Sequence, residues 1–188
     1  MMLESAKMIR PVLLCSYVLI LASCGGGSPH PSQIKAIPIP TDGGSTQERT
    51  MAALMRGHPK QQRKEFKYDA RLAGVARAKA RDMATRKYFS HINPDGYGSN
   101  WHVAKTGYRL PPQWLAFKGS NQGESLLAGE ENVEPGFARW LSSGTHRNHI
   151  LALNPFYQDQ TRYGLGYHDD PNAPFRHYWV LVTAPPEY

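Results

Sequence analysis

Cysteine is almost missing from this chain. Of 188 residues only Cys15 and Cys24 carry a thiol, and neither lies beyond position 24. The rest of the sequence therefore holds no disulfide framework and no thiolate metal site. A domain exported without disulfides must be held by its core alone, and this length suffices for one such domain rather than two. Also missing is any apolar run of the roughly 20 residues that a membrane-spanning helix takes. The best candidate, Val12 to Ala22, falls short. There is no His-Glu-x-x-His helix, no Gly-x-Ser-x-Gly elbow and no nucleic-acid-binding motif. The last absence matters because the formal net charge is +7. Its basic residues are spread out: Lys60, Arg63, Lys64 and Lys67 cluster, and Arg71, Arg77, Lys79, Arg81, Arg86 and Lys87 decorate one helix. They read as a solvated face resting near anionic headgroups or cell-wall polymer, and no nucleic acid is expected as a partner.

What is present begins with an address. Lys7 and Arg10 precede the apolar run, which fits the h-region of a secretory signal, and Met8 would serve equally as a start. The run ends in Leu21-Ala22-Ser23-Cys24, which resembles a bacterial lipobox. Residues 1–23 are thus read as a lipoprotein signal peptide. Cys24 is the acylated residue, carrying palmitate-type chains that anchor the protein to a membrane. Gly25-Gly26-Gly27-Ser28-Pro29 opens a Gly- and Pro-rich stretch, so residues 24–45 are read as a flexible tether and 46–188 as the domain. By resemblance to bacterial lipoproteins, Gly25 after the cysteine implies the outer membrane if the source is Gram-negative.

Within the domain, Ser45 or Thr46 caps a first helix running to Arg56. Asp69 caps a second, along which Leu72, Val75, Ala76, Ala80, Met83 and Ala84 recur at helical spacing up to about Lys87. Asn93-Pro94-Asp95-Gly96 is a turn. A third helix spans Asn100 to Thr106 before Gly107, and Tyr108 to Gly123 is loop-like. Pro135 starts a fourth helix that presents Phe137, Trp140 and Leu141. After a break at Ser142 to Thr145 helix resumes from His146 to Leu151. Tyr163 to Tyr167 and Tyr178 to Thr183 are strands that can pair as a hairpin through Asp169-Asp170-Pro171-Asn172. Helices first and strands last predict an α+β fold, a small antiparallel sheet covered by helices. Trp101 and Trp114 are expected at the rim of a groove, and His58, His102, His168 and His177 at the surface.

Four blocks recur in the order of a known family. Tyr88-Phe89-Ser90-His91 with Pro94-Asp95-Gly96, Trp140 through Leu151, Gly164-Leu165-Gly166-Tyr167 and Tyr178-Trp179-Val180 resemble the signatures of bacterial CAP domains. CAP denotes the superfamily of cysteine-rich secretory, antigen 5 and pathogenesis-related proteins, also called SCP domains. The resemblance runs from about Thr46 to Ala184 and implies an α-β-α sandwich. It also implies a cleft lined by two histidines and two acidic residues. Carried over, the histidines fall on His91 and His146, the first acid on Glu124 with Glu130 in reserve, and the second acidic position on Ser143. Members of the family are implicated in binding lipids or sterols, in defence and in host interaction.

Three readings of these residues stand side by side. His91, His146 and Glu124 are donors suited to zinc or another divalent cation, with His149 as a possible extra ligand. Ser143, His146 and Glu124 can be set out as nucleophile, base and orienting acid of a metal-assisted or serine hydrolase acting on peptide, cell-wall or lipid substrates. Finally, His91, Glu124, Ser143 and His146 can form a hydrogen-bonded polar network around a cleft that binds a lipid, cell-wall or protein ligand. The incomplete catalytic set favours binding over turnover.

Overall fold

The hairpin organises everything else. In the computed structural model, which describes residues 43–187, β3 (Arg162–Asp169) and β4 (His177–Ala184) pair antiparallel, with Leu165 opposite Leu181. Residues 1–42, on which the signal-peptide reading, the Cys24 acylation reading and most of the tether reading fall, lie outside the described residues. Every residue of β4 is buried, and its side chains alternate between two cores. Tyr178, Val180, Val182 and Ala184 join one, while Trp179 and Leu181 join the other. A strand buried on both faces needs a layer on each side.

One layer is α2 (Ala70–Thr85) with α3 (Ser99–Lys105). The Asp69 carboxylate accepts from the Arg71 and Leu72 amides, and the helix then buries Leu72, Val75, Ala76, Ala80 and Met83 at the predicted spacing. The other layer comprises α1 (Thr46–Gly57), α4 (Val133–Ser142) and α5 (Gly144–Ile150), contributing Met51, Met55, Phe137, Trp140 and Ile150. The α-β-α sandwich is thus present. The only interruption between α4 and α5 is Ser143, whose extended backbone serves as N-cap of α5. A four-residue helix, α6 (Pro155–Gln158), follows before β3.

α1 is fixed by a reciprocal cap. The Ser45 hydroxyl accepts from the Glu48 amide, and the Glu48 carboxylate accepts from the Ser45 amide. Glu48 is buried and also accepts from the Arg77 guanidinium and the Tyr167 amide, tying α1 to α2 and β3. Ser45→Ala is expected to lower stability by about 1 kcal/mol, read as a shift of the urea unfolding midpoint.

The sheet departs from the sequence expectation in two ways. It has four strands in the order β1-β3-β4-β2, and β1 (Lys67–Tyr68) runs parallel to β3, so the sheet is mixed rather than antiparallel. β2 (Glu124–Ala128) pairs antiparallel with β4 at the far edge. Its sequence, Glu-Ser-Leu-Leu-Ala, has no β-branched or aromatic residue, and only its tertiary partners make it a strand. The outward side of β2 is covered by α4: the Trp140 indole N–H donates to Leu126 O and Arg139 donates to Ala128 O. No helix among the described residues is long and apolar enough to cross a membrane.

Candidate functional site

His91 is delivered by the chain leaving α2. Lys87 takes a left-handed backbone (φ 56°), turning the chain so that Tyr88 lies back over the helix and donates its hydroxyl to Asp82 Oδ2 at 2.5 Å. Lys79, placed by its spacing on the solvated face, is instead buried. Its ammonium donates to the Tyr88 hydroxyl oxygen (3.2 Å) and to the His91 carbonyl (3.1 Å), pinning the histidine loop to α2. Burial holds this lysine below the usual range, against the opposing pull of Glu124 and Asp82.

Glu124 is not on a loop but opens β2, opposite Val182. Gly123 before it accepts from the Thr183 amide so closely that a Cβ would stand 2.1 Å from the Thr183 carbonyl oxygen. The Glu124 side chain is 0% exposed, and His91 Nδ1 donates to its Oε1 at 2.9 Å. The bond fixes the proton on Nδ1 and leaves Nε2 of the 45%-exposed His91 without a hydrogen-bond partner among the described residues. Glu124 Oε2 is buried and has no hydrogen-bond partner among the described residues. Glu130, the alternative acid, pairs with Arg139 at 3.0 Å.

His146, half-buried on α5, has its pKa lowered by burial and further by the charge of His91. His91, Glu124 and His146 all line one hollow of about 200 Å³, with Asn121, Gln122 and Tyr157. Ser143 does not line it. It sits half-buried at the N-cap of α5, and Thr145 comes to the hollow from this end. Glu124 orients His91 rather than His146, so Ser143, His146 and Glu124 do not form a relay in that order.

His149, the suggested extra ligand, is committed elsewhere. The Thr183 hydroxyl donates to Gln160 Oε1, so His149 Nε2 must donate to Thr183 Oγ1 (2.7 Å) and Nδ1 must accept from the Ser125 hydroxyl (2.7 Å). Burial, with the nearby Arg63 charge, pushes its pKa well below the usual 6.5. Neither ring nitrogen is left for a metal. Among the described residues no group of three or more His, Cys, Asp or Glu side chains is arranged to hold an ion. His91, His146 and Glu124 therefore do not fit a three-ligand zinc site.

Arg63 also departs from the exposed cluster assigned by sequence. It is buried, stacked over Phe66, and donates to the carbonyls of His149, Ile150 and Gln160, each at 2.8 Å. It thereby ties off the C-terminal carbonyls of α5, and burial pushes its pKa down to about 9. Among the residues expected at the surface, His177 is buried and bonded to the Tyr167 hydroxyl at 2.8 Å. Trp114 belongs to the core, whereas Trp101 remains at a rim. The signal for Lys79, Arg63 and Ser125 in the sequence was weak, since isolated polar residues on amphipathic segments carry no mark of burial.

The model of the CAP, cysteine-rich secretory protein family matches residues 47–183. The chain is 32% identical over 108 residues to uncharacterized protein YkwD of Bacillus subtilis (strain 168), covering 57% of this chain and 37% of that protein. The chain therefore spans just over a third of the length of that curated relative. In fold it is similar to an outer surface protein from Borrelia burgdorferi (TM-score 0.56, 16% identity, covering 73% of this chain and 90% of that one). It is also similar to an extracellular protein containing a SCP domain from Bacillus anthracis (TM-score 0.52, 20% identity, covering 74% and 39%). By the family match over most of its length, by its sandwich and by its ordered motifs, this chain belongs to the CAP family.

Proposed function

We propose that the protein is an exported CAP-domain module of the bacterial cell envelope. It is held to a membrane through acylated Cys24 and binds a small polar ligand, without turnover, in the hollow around Glu124. The observation that carries the binding role is the unpartnered Glu124 Oε2. A buried carboxylate oxygen with no donor is costly, and a ligand N–H, hydroxyl or ammonium group would satisfy it. Two imidazoles lining the same hollow, with His91 Nε2 unpartnered among the described residues, add acceptors for further donors. Cell-wall fragments rich in amide and hydroxyl groups have this chemistry. The export and anchor parts rest on the lipobox pattern, on the Gly- and Pro-rich tether, and on the names of the extracellular and outer-surface proteins of like fold.

The binding role is tested by titrating peptidoglycan fragments into protein carrying ¹⁵N-histidine. The His91 and His146 ring signals should move on addition, Glu124→Gln should weaken the response about tenfold or more, and no product should form. The opposite result, cleavage of the fragments that disappears in His146→Ala, would establish a hydrolase. For the anchor, labelled palmitate should be incorporated by the wild type and not by Cys24→Ala. Equal labelling of both would refute the lipobox reading.

A further inference from the structure

Away from the cleft, the 3-10 turn Pro112–Leu115 holds Trp114 in the core and thereby presents the next residues outward. Leu115 is 43% and Phe117 64% exposed. They border a hollow of about 440 Å³ with Ala116 and Trp101, flanked by Lys105 and Lys118. Trp101 stacks on Tyr97 with ring centroids 4.0 Å apart. The Lys105 ammonium lies 4.9 Å from the Trp101 ring centre and that of Lys118 5.2 Å from the Tyr97 ring centre. Exposed Ile92 adjoins this surface: a methyl at Gly119 would meet Ile92 Cδ1 and a Phe117 ring carbon, each at 3.2 Å.

We infer that this surface docks on an anionic lipid bilayer, with Leu115 and Phe117 entering the acyl region, Trp101 at the interface and the two lysines on phosphate headgroups. Three observations select this occupant. No acidic side chain lines the hollow, and neither lysine forms an ion pair among the described residues, so both charges face outward. The hollow's side chains offer cationic and indole donors but no acceptor. A peptide or glycan laid there would lose hydration from its own donors with nothing in return, whereas an acyl chain has no donors to satisfy. Aromatic residues and lysines over apolar side chains also suit the layered polarity of a bilayer interface. The docking is separate from acylation at Cys24 and would orient the domain on the surface that the lipid merely keeps near.

The test uses the full chain carrying Cys24→Ser, so that no acyl chain contributes. Trp114, Trp140 and Trp179 are buried, which makes Trp101 the tryptophan that reports contact. Vesicles of phosphatidylglycerol and phosphatidylcholine with bromine on the acyl chains should quench the parent protein more than its Trp101→Phe derivative. That difference should vanish in Phe117→Ser. It should require about tenfold more lipid in Lys105→Glu/Lys118→Glu and weaken with added salt. Equal quenching of parent and Trp101→Phe would overturn the inference. So would a Trp101 response to a soluble peptide or cell-wall glycan in the absence of any response to vesicles.

Discussion

Replacing Gly164 with alanine should destabilise the protein by about 3 kcal/mol or more, beyond most single surface changes. A Cβ at this position would stand 2.0 Å from the Ala73 nitrogen and 2.2 Å from the Leu72 carbonyl carbon. Both are backbone atoms in the first turn of α2, so no side-chain rotation relieves the clash, and the helix must lift from the sheet. Gly166 faces the same helix one turn later, where an added Cβ would stand 2.3 Å from the Ala76 carbonyl carbon, so the helix has no room to tilt about that end. Urea unfolding measures the effect. At a slope of about 1–3 kcal/mol per molar urea, the midpoint should fall by about 1 M or more. An unchanged midpoint would mean that α2 does not sit this close to β3. Because Lys79 ties α2 to the His91 carbonyl, the same variant should also weaken the binding proposed for the cleft.

The second large effect is acid sensitivity. His149 is buried with both nitrogens engaged, and its pKa is pushed well below 6.5. In the unfolded chain it takes up a proton near 6.5, while in the folded protein it stays neutral to much lower pH. Between the two values the unfolded state holds more protons, so stability falls as pH falls. The loss should begin near the ordinary value of 6.5 and approach about 1.4 kcal/mol for each further pH unit, until the folded value is reached. His58, His102 and His146 are shifted in the same direction by burial and add to the slope with smaller weight, being more exposed. The exposed carboxylates Glu65, Asp95, Asp169 and Glu187 are held low by Arg and Lys partners and act only at lower pH. Urea midpoints at pH 7.5, 6.5, 5.5 and 4.5 should therefore decline steadily. In His149→Gln the decline should be much shallower, and an equal slope in that variant would assign the loss elsewhere.

The helices and the central hairpin were legible because their signals are local. Asp69 and Ser45 are caps, the α2 apolar stripe keeps helical spacing, and the β3 and β4 segments are aromatic and β-branched. β2 and β1 were not legible. Glu124–Ala128 has the composition of a helix, and Lys67–Tyr68 is too short to carry a period, so pairing with distant strands decides both. At the site, the family motifs located His91, Glu124 and His146. The supporting polar groups could not be found that way. Whether Lys79, Arg63, Ser125 or Thr183 is buried depends on residues up to about a hundred positions away, as the bonds from Arg63 to Ile150 and Gln160 show.

The coverage of β2 by α4 has a consequence for how this protein meets its neighbours. A peptide seeking to extend a sheet needs a row of free backbone acceptors and donors along an edge strand. Here the Trp140 indole and the Arg139 guanidinium already occupy the carbonyls of Leu126 and Ala128, and the opposite border offers only two residues. Among the described residues, copies brought together would find little template for cross-strand association, which leaves loops and clefts as the surfaces open to recognition.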